Sequence, residues 1–389
     1  MINKIKDLSE VFYDDIINIR RHLHMYPELS FEEYKTSAYI KDVLNKWQIS
    51  FSDGYVNTGI LVVLEGKNPK LKSLALRADF DALPILEEND VTYCSKNHGV
   101  MHACGHDVHT ASMLGALKIL NETKEFWSGT IKFIFQPAEE RLPGGAKQMI
   151  EEGVLENPVV NNIIAQHVLP ELEVGKVGFR PGIYMASTDE IYIRIKGVGG
   201  HAALPDNYNN PIISSSILIL QLNELFLMQE NKNSIFAIGY IEGNGSTNVI
   251  PDEVNLMGTF RSLDEDFRKA SHSKIMAIVD KVSKENNVNI DLEIRNGYPA
   301  LFNDIEFTRN QILHAKKYLG ADNVIDLPIR MTAEDFSYFA NASPSCFYRL
   351  GTGNKEKGII HGLHTSKFNI DEEALKIGMG LIAYLAISS

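Results

Sequence analysis

Cysteine is scarce in this chain of 389 residues: Cys94, Cys104 and Cys346 are the whole supply. Three thiols cannot build a disulfide framework at this length, which excludes the small stapled secreted folds. Also missing is any apolar run long enough to span a bilayer. The opening segment MINKIKDLSEVFYDD has no apolar core and carries early acids, unlike a secretory signal. A cytoplasmic, reducing location is therefore expected, in which Cys104 stays a free thiol available to a metal. Low-complexity tracts and fixed-period repeats are absent too, as suits an ordinary globular chain. Nor is there a basic excess: 38 Lys and Arg stand against 50 Asp and Glu, a formal net charge of −12. Such a surface argues against nucleic acid or an anionic membrane as partner.

What the sequence does have is alternation. SLALRAD (73–79), GTIKFIFQPAEE (129–140) and NNIIAQHV (161–168) are short apolar, β-branched runs that read as buried strands. Between them TASMLGALKILNE (110–122) and GGAKQMIEEGVLE (144–156) read as helices. That order predicts an α/β domain with a mostly parallel sheet flanked by helices. The middle of the chain differs. Strand-like DEIYIRIKG (189–197), SIFAIGYIEG (234–243), EVNLMGTFRS (253–262) and VNIDLEIRNGY (288–298) surround two helical stretches, 210–226 and 264–286. The order β-α-β-β-α-β is that of a ferredoxin-like α+β unit. Length alone suggests two domains. The expected division is 186–298 as an insert in a domain formed by 1–185 and 299–389.

Polar residues gather at the predicted strand ends. Asp79 ends one strand, Glu139 and Glu140 follow the next, and His167 ends a third, where open parallel sheets bind ligands. The stretch MHACGHDVHTA (101–111) crowds Cys104, His106, Asp107 and His109 together. Thiolate, imidazole and carboxylate are ligands of zinc, and of manganese where the softer donor is outnumbered. The same residues also suit a helix start capped by Asp107 or Thr110 with solvated histidines. Likewise, Glu139 and Glu140 read either as a solvated acidic loop or as one ligand beside one free base. His167 alone reads as a hydrogen-bonded buried side chain, and His361 and His364 carry no signal by themselves. His22, His24, His98, His102, His272 and His314 read as structural or surface residues.

Taken together, the motifs resemble the metal-dependent amidohydrolases: aminoacylases, hippurate hydrolases, auxin-conjugate hydrolases and N-acetyl-diaminopimelate deacetylases, distant kin of glutamate carboxypeptidases. The resembling segments are RRHLHMYPELSFEE (20–33), LRADFDALP (76–84), MHACGHDVH, FQPAEE, GVGGHAALP (197–205), NVIPDE (248–253), MTAEDFSYF (331–339) and LHTSKF (363–368). They occur in family order over nearly the whole chain. The resemblance implies two divalent metal ions, zinc or manganese, held by Cys104, His106, Glu140, His167 and His364, with Cys104 the bridge. It makes Glu139 the general base, and has Asp79 hold a ligand imidazole in its metal-binding tautomer. His201 would be an oxyanion donor delivered by the insert, and Asn248 and Arg261 would bind a substrate carboxylate. The insert is implied to act as a lid and to form a homodimer.

The implied reaction is hydrolysis of an N-acyl amino acid to a carboxylate and a free amine; a carboxypeptidase or dipeptidase would use the same machinery. A binding protein that merely kept the fold would have no need of a free base such as Glu139. A cysteine-nucleophile hydrolase built on Cys104 with His106 or His109 would be blind to chelators. Asp206 after Pro205, Ser345 in SPSCF, and the residues added in EERLPGGA depart from the usual pattern. They bear on specificity, not on the reaction.

Overall fold

The run Ser73–Asp79 is buried along its whole length, as a strand covered on both faces by helices must be. The computed structural model describes residues 1–227 and 233–389. Among these, Ser73–Asp79 lies inside an eight-stranded sheet. The order is Ser52–Tyr55, Gly59–Glu65, Thr130–Gln136, Ser73–Asp79, Asn162–Glu173, Ser345–Gly353, Val177–Phe179 and Val324–Asp326. The centre is parallel: Ser73–Asp79 runs with both neighbours, and Asn162–Glu173 with Ser345–Gly353. Antiparallel pairing enters at Gly59–Glu65 on one side and Val177–Phe179 on the other. The register sets Asp79 opposite Gln136, and Arg77 opposite Ala165, two residues before His167. Asp79 and Gln136 end their strands at this level, whereas His167 lies within Asn162–Glu173, which runs on to Glu173 rather than ending at His167 as the sequence suggested.

Helix His106–Glu122 is buried nearly all round and packs against Tyr13–Met25 and Glu373–Ser388. Its Leu114 and Leu117 share one core with Leu76, Phe133 and Ile164. This helix starts at His106, earlier than the expected Thr110, because Gly105 in the left-handed region closes the loop immediately before it. The N-terminal helices Ile2–Val11, Tyr13–Met25 and Tyr34–Lys46 also belong to this part, as does Ile305–Leu319.

Met1–Gly182, Phe302–Pro328 and Asp335–Ser389 form one compact unit; Ile183–Leu301 and Ile329–Glu334 form a second. The second unit holds an antiparallel sheet in the order Ser234–Glu242, Glu253–Ser262, Asp189–Lys196, Asn289–Asn296, with helices Pro211–Leu227 and Glu265–Glu285. This is the ferredoxin-like order. Alternation along Asp189–Lys196 sends Ile191, Ile193 and Ile195 into a core with Leu218, Leu222, Ile275 and Val279. No helix among the described residues is long and apolar enough to cross a membrane.

Candidate functional site

Side chains from separate stretches of the first unit meet where the parallel strands end. Ser73–Asp79 delivers Asp79 and, two residues later, Asp81; Thr130–Gln136 leads to Glu139 and Glu140; Asn162–Glu173 carries His167. Cys104 and His106 flank Gly105, which has φ +80°. A Cβ on Gly105 would lie 2.5 Å from Val168 Cγ2, so only glycine lets this loop approach the strand so closely. His364 is held by its own N–H, which donates to Ala103 O at 2.8 Å.

The donor atoms converge. Cys104 Sγ lies 3.5 Å from His167 Nε2 and 3.3 Å from His364 Nε2. Glu140 Oε1 is 3.3 Å from His364 Nε2 and 3.8 Å from His106 Nε2. Of five donor groups among the described residues that could hold a cation, three overlap here: Cys104, His106 and His167; Cys104, Glu140 and His364; His106, Glu139 and Glu140. Cys104 is common to the first two. His106 Nε2 and Glu140 Oε1 are buried with no hydrogen-bond partner. Ligands bound at about 2.0–2.3 Å around one tetrahedral ion stand roughly 3.3–3.8 Å apart. The spacing and the two orphaned atoms therefore suit divalent cations.

Hydrogen bonds fix which ring nitrogen faces inward. His167 Nδ1 donates to Val168 O at 2.8 Å, leaving Nε2 a lone pair toward Cys104. His106 Nδ1 meets Asp81 Oδ1 at 3.0 Å, which turns its Nε2 toward Glu140. Val168 N donates to His109 Nε2 at 2.9 Å, so His109 Nδ1 carries the proton and gives it to Asp79 Oδ1 at 2.6 Å. Asp79 is itself held by Arg77 Nη1 at 2.6 Å. The imidazole bonded to Asp79 thus belongs to His109, and the carboxylate that orients His106 is Asp81. Asp81 Oδ2 also accepts from Glu140 N at 2.9 Å, joining two of the metal-ligand candidates.

The electrostatics ask for positive charge. Burial opposes a charge on His106, yet Asp79, Asp81 and Glu140 together raise it to about 10. Burial and Arg349 push His167 well below the usual imidazole range, as a neutral ligand requires. Burial, with Glu140, Glu139 and Asp79 adding, drives the Cys104 thiol well above its ordinary value. An activated nucleophile needs the opposite shift. The N-cap residue Gly105 gives no side-chain cap and Thr110 donates to Asp79 O, but Asp107 serves the helix start in part: its Oδ1 accepts from Val108 N at 3.0 Å while its Oδ2 accepts from Arg20 at 2.8 Å.

In the second unit, His201 is exposed on a short ribbon opposite Val249, beside Asn248, whose carbonyl accepts from Ala202 N at 3.0 Å. Arg261 sits apart from that ribbon, on strand Glu253–Ser262, with Nη1 donating to Met331 O at 3.2 Å.

Residues 75–388 match the family described as Peptidase family M20/M25/M40. The chain belongs to that family. It is 38% identical over 362 residues to an N-acetyl-L-cysteine deacetylase of Bacillus subtilis, covering 92% of this chain and 84% of that protein. It is 36% identical over 395 residues to thermostable carboxypeptidase 1 of Saccharolobus solfataricus, covering 100% and 98%. A solved Bacillus subtilis structure described as a dinuclear metal binding peptidase from the M20 family superposes with a TM-score of 0.81. It is 31% identical in sequence, with coverage of 97% and 98%.

Within this M20-family site, Asp81 is the residue the sequence reading passed over. Its signal was the spacing in RADFDALP. Carboxylates at i and i+2 at the end of a strand point to the same side, so the spacing marks Asp81 together with Asp79.

Proposed function

We propose that this M20-family enzyme hydrolyses the amide bond of N-acyl amino acids, giving a carboxylate and a free amino acid, with two divalent ions, zinc or manganese, per subunit. The observation that carries this is Cys104, shared between two groups of donors beside a carboxylate pair. Cys104, His106 and His167 would hold one ion, and Cys104, Glu140 and His364 the other, with Cys104 as bridge. The ions would supply Lewis-acid polarisation of the amide carbonyl and acidify water in the site.

Glu139 takes a proton from the attacking water as its oxygen bonds to the carbonyl carbon. It then gives that proton to the leaving nitrogen as the C–N bond breaks. His201 donates a hydrogen bond to the oxyanion between the two steps. Asn248 and Arg261 bind the carboxylate of the amino-acid part; a guanidinium can meet it with paired hydrogen bonds. Asp81 and Asp79 orient imidazoles. The enzyme works in the cytoplasm, and the units divide the labour: the first is catalytic and the second acts as lid and dimerisation domain. The resemblance to a carboxypeptidase supports a second reading, cleavage of short peptides by the same site.

The test is a hydrolysis panel. N-acetyl, N-benzoyl, N-succinyl and indole-acetyl amino acids are compared with dipeptides after reconstitution with zinc, manganese or cobalt. Metal-restored turnover of an N-acyl amino acid is expected. Full activity in metal-free protein would end this reading, and turnover of dipeptides alone would favour the second.

A further inference from the structure

The turn that carries the acid pair is held in a conformation that its sequence does not favour. Ala138 has φ +55°, in the left-handed region that alanine avoids because its Cβ crowds the backbone. It is gripped on both sides. Its carbonyl accepts from Gly145 N at 2.9 Å, and its N–H donates to Glu33 Oε1 at 2.9 Å. A Cβ on Gly145 would lie 1.9 Å from Pro137 O, so the first grip needs a glycine.

The second grip comes from PELSFEE (27–33), a segment with no role in the reaction as described. Glu33 is fully buried. Its Oε1 also accepts from Phe31 N at 2.9 Å, and its Oε2 from Thr58 Oγ1 at 3.1 Å. Thr58 and Ala138 are buried, so removal of the carboxylate leaves their donors without this acceptor. Ser30 of the same segment donates to Asp81 Oδ2 at 2.7 Å, the oxygen that also holds Glu140 N. The segment thus braces the acid pair from both ends.

We propose that Glu33 is a positioning residue for catalysis, fixing Glu139 through the Ala138 peptide; this rests on the hydrolase reading above. Proton transfer to and from Glu139 depends on its distance from the reacting atoms, and an error near 1 Å can cost about 10²-fold in rate. Glu33 itself touches no candidate ligand. Burial and the Asp81 carboxylate push its carboxyl up to about 7, so a neutral amide is a fair replacement near neutral pH. Glutamine keeps an acceptor oxygen for the two N–H groups and offers Thr58 a donor, which the hydroxyl can accept by rotating.

The experiment compares Glu33→Ala and Glu33→Gln with the wild type by three readouts on reconstituted enzyme: bound metal, kcat and KM, and amide hydrogen exchange in the peptide containing Ala138. Glu33→Ala is expected to keep its metal and KM, lose about 10- to 10²-fold in kcat, and exchange faster at Ala138. Glu33→Gln should retain most of kcat and the protection of Ala138. Unchanged kcat in Glu33→Ala with Ala138 deprotected would overturn the proposal. So would equal loss in both variants with Ala138 still protected, because the charge would then matter and the turn would not. If Glu33→Ala does not fold, Glu33→Gln decides: intact exchange and intact kcat support the grip, and any other result counts against it. A wild type that neither binds metal nor hydrolyses any amide would remove the hydrolase reading, and this inference with it.

Discussion

Glu139 and Glu140 are adjacent in sequence yet differently employed. Glu140 Oε1 faces His106 and His364 with no hydrogen-bond partner, whereas Glu139 Oε1 accepts from Asp335 N at 3.4 Å. Asp335 is in turn fixed by Arg77, Gln136 and Ala146 N. A braced carboxylate beside a cation site suits proton transfer rather than coordination. Glu139→Gln should therefore lower kcat by about 10²–10⁴-fold while metal content, measured by elemental analysis, stays at the wild-type level. Loss of metal together with activity would make Glu139 a ligand instead. Asp81 makes a different demand. It holds the His106 ring and the Glu140 peptide at once, so Asp81→Asn disturbs two ligand candidates through one carboxylate. Metal affinity should fall by about 10–100-fold, read by competition with a chromophoric chelator. Wild-type affinity in that variant would remove Asp81 from this role.

Among the elements, helices Tyr13–Met25 and His106–Glu122 are tied by a buried ionic chain. Arg20 and His24 both reach Asp107 Oδ2, at 2.8 and 2.7 Å, and the other nitrogen of His24 meets Glu87 Oε1 at 3.1 Å. An imidazole with a carboxylate at each nitrogen favours the charged form; burial opposes it, yet the His24 pKa is raised. Burial alone would raise Glu87 as well, but the His24 hydrogen bond and charge bring it down to about 2. The sign follows from linkage. A depressed carboxyl contributes stability that is present above its unfolded value, near 4.5, and is lost as pH falls toward 2. Glu87→Gln should thus destabilise by about 1–2 kcal/mol near pH 6, after allowance for solvent screening. The difference from wild type should close as pH approaches 2, in urea titrations across pH. A constant difference at every pH would place the effect in packing. Elements of this sort also mark what could be read in advance. Asp189–Lys196 announces itself by an alternating apolar pattern, and Ser73–Asp79 by the short apolar run Leu74–Leu76. The Arg20–Asp107–His24 chain joins residues more than 80 positions apart, and no local periodicity encodes it. For the same reason the donor types crowded at Cys104–His109 can be read from the sequence, while the partner of each imidazole cannot. Asp79 ends its strand and Asp81 follows two residues later, both carboxylates. Only the placement of helix His106–Glu122 after Gly105 decides which ring each one meets.

At the scale of the whole molecule, the second unit leaves apolar side chains in solvent. Leu220 on helix Pro211–Leu227, and Ile235 and Ile241 on the edge strand Ser234–Glu242, are each more than two-fifths exposed. An open edge strand with such neighbours is a surface that a second copy would cover. We propose that the homodimer would be isologous, the commonest oligomer type, and that His201 from one subunit would serve the site of the other. This arrangement makes a distinctive prediction. His201→Ala and Glu139→Gln should each be nearly inactive as homodimers. After subunit exchange, each hybrid contains one site with intact Glu139 that receives intact His201 from its partner, and one site lacking both. About half of the hybrid's sites should then turn over, by this two-site symmetry. Native mass spectrometry gives the hybrid fraction, and the recovered rate should rise in proportion to it. Hybrids that form and remain inactive would confine His201 to its own chain or remove it from catalysis. A monomer at every accessible concentration would end the dimer proposal before the mixing experiment began.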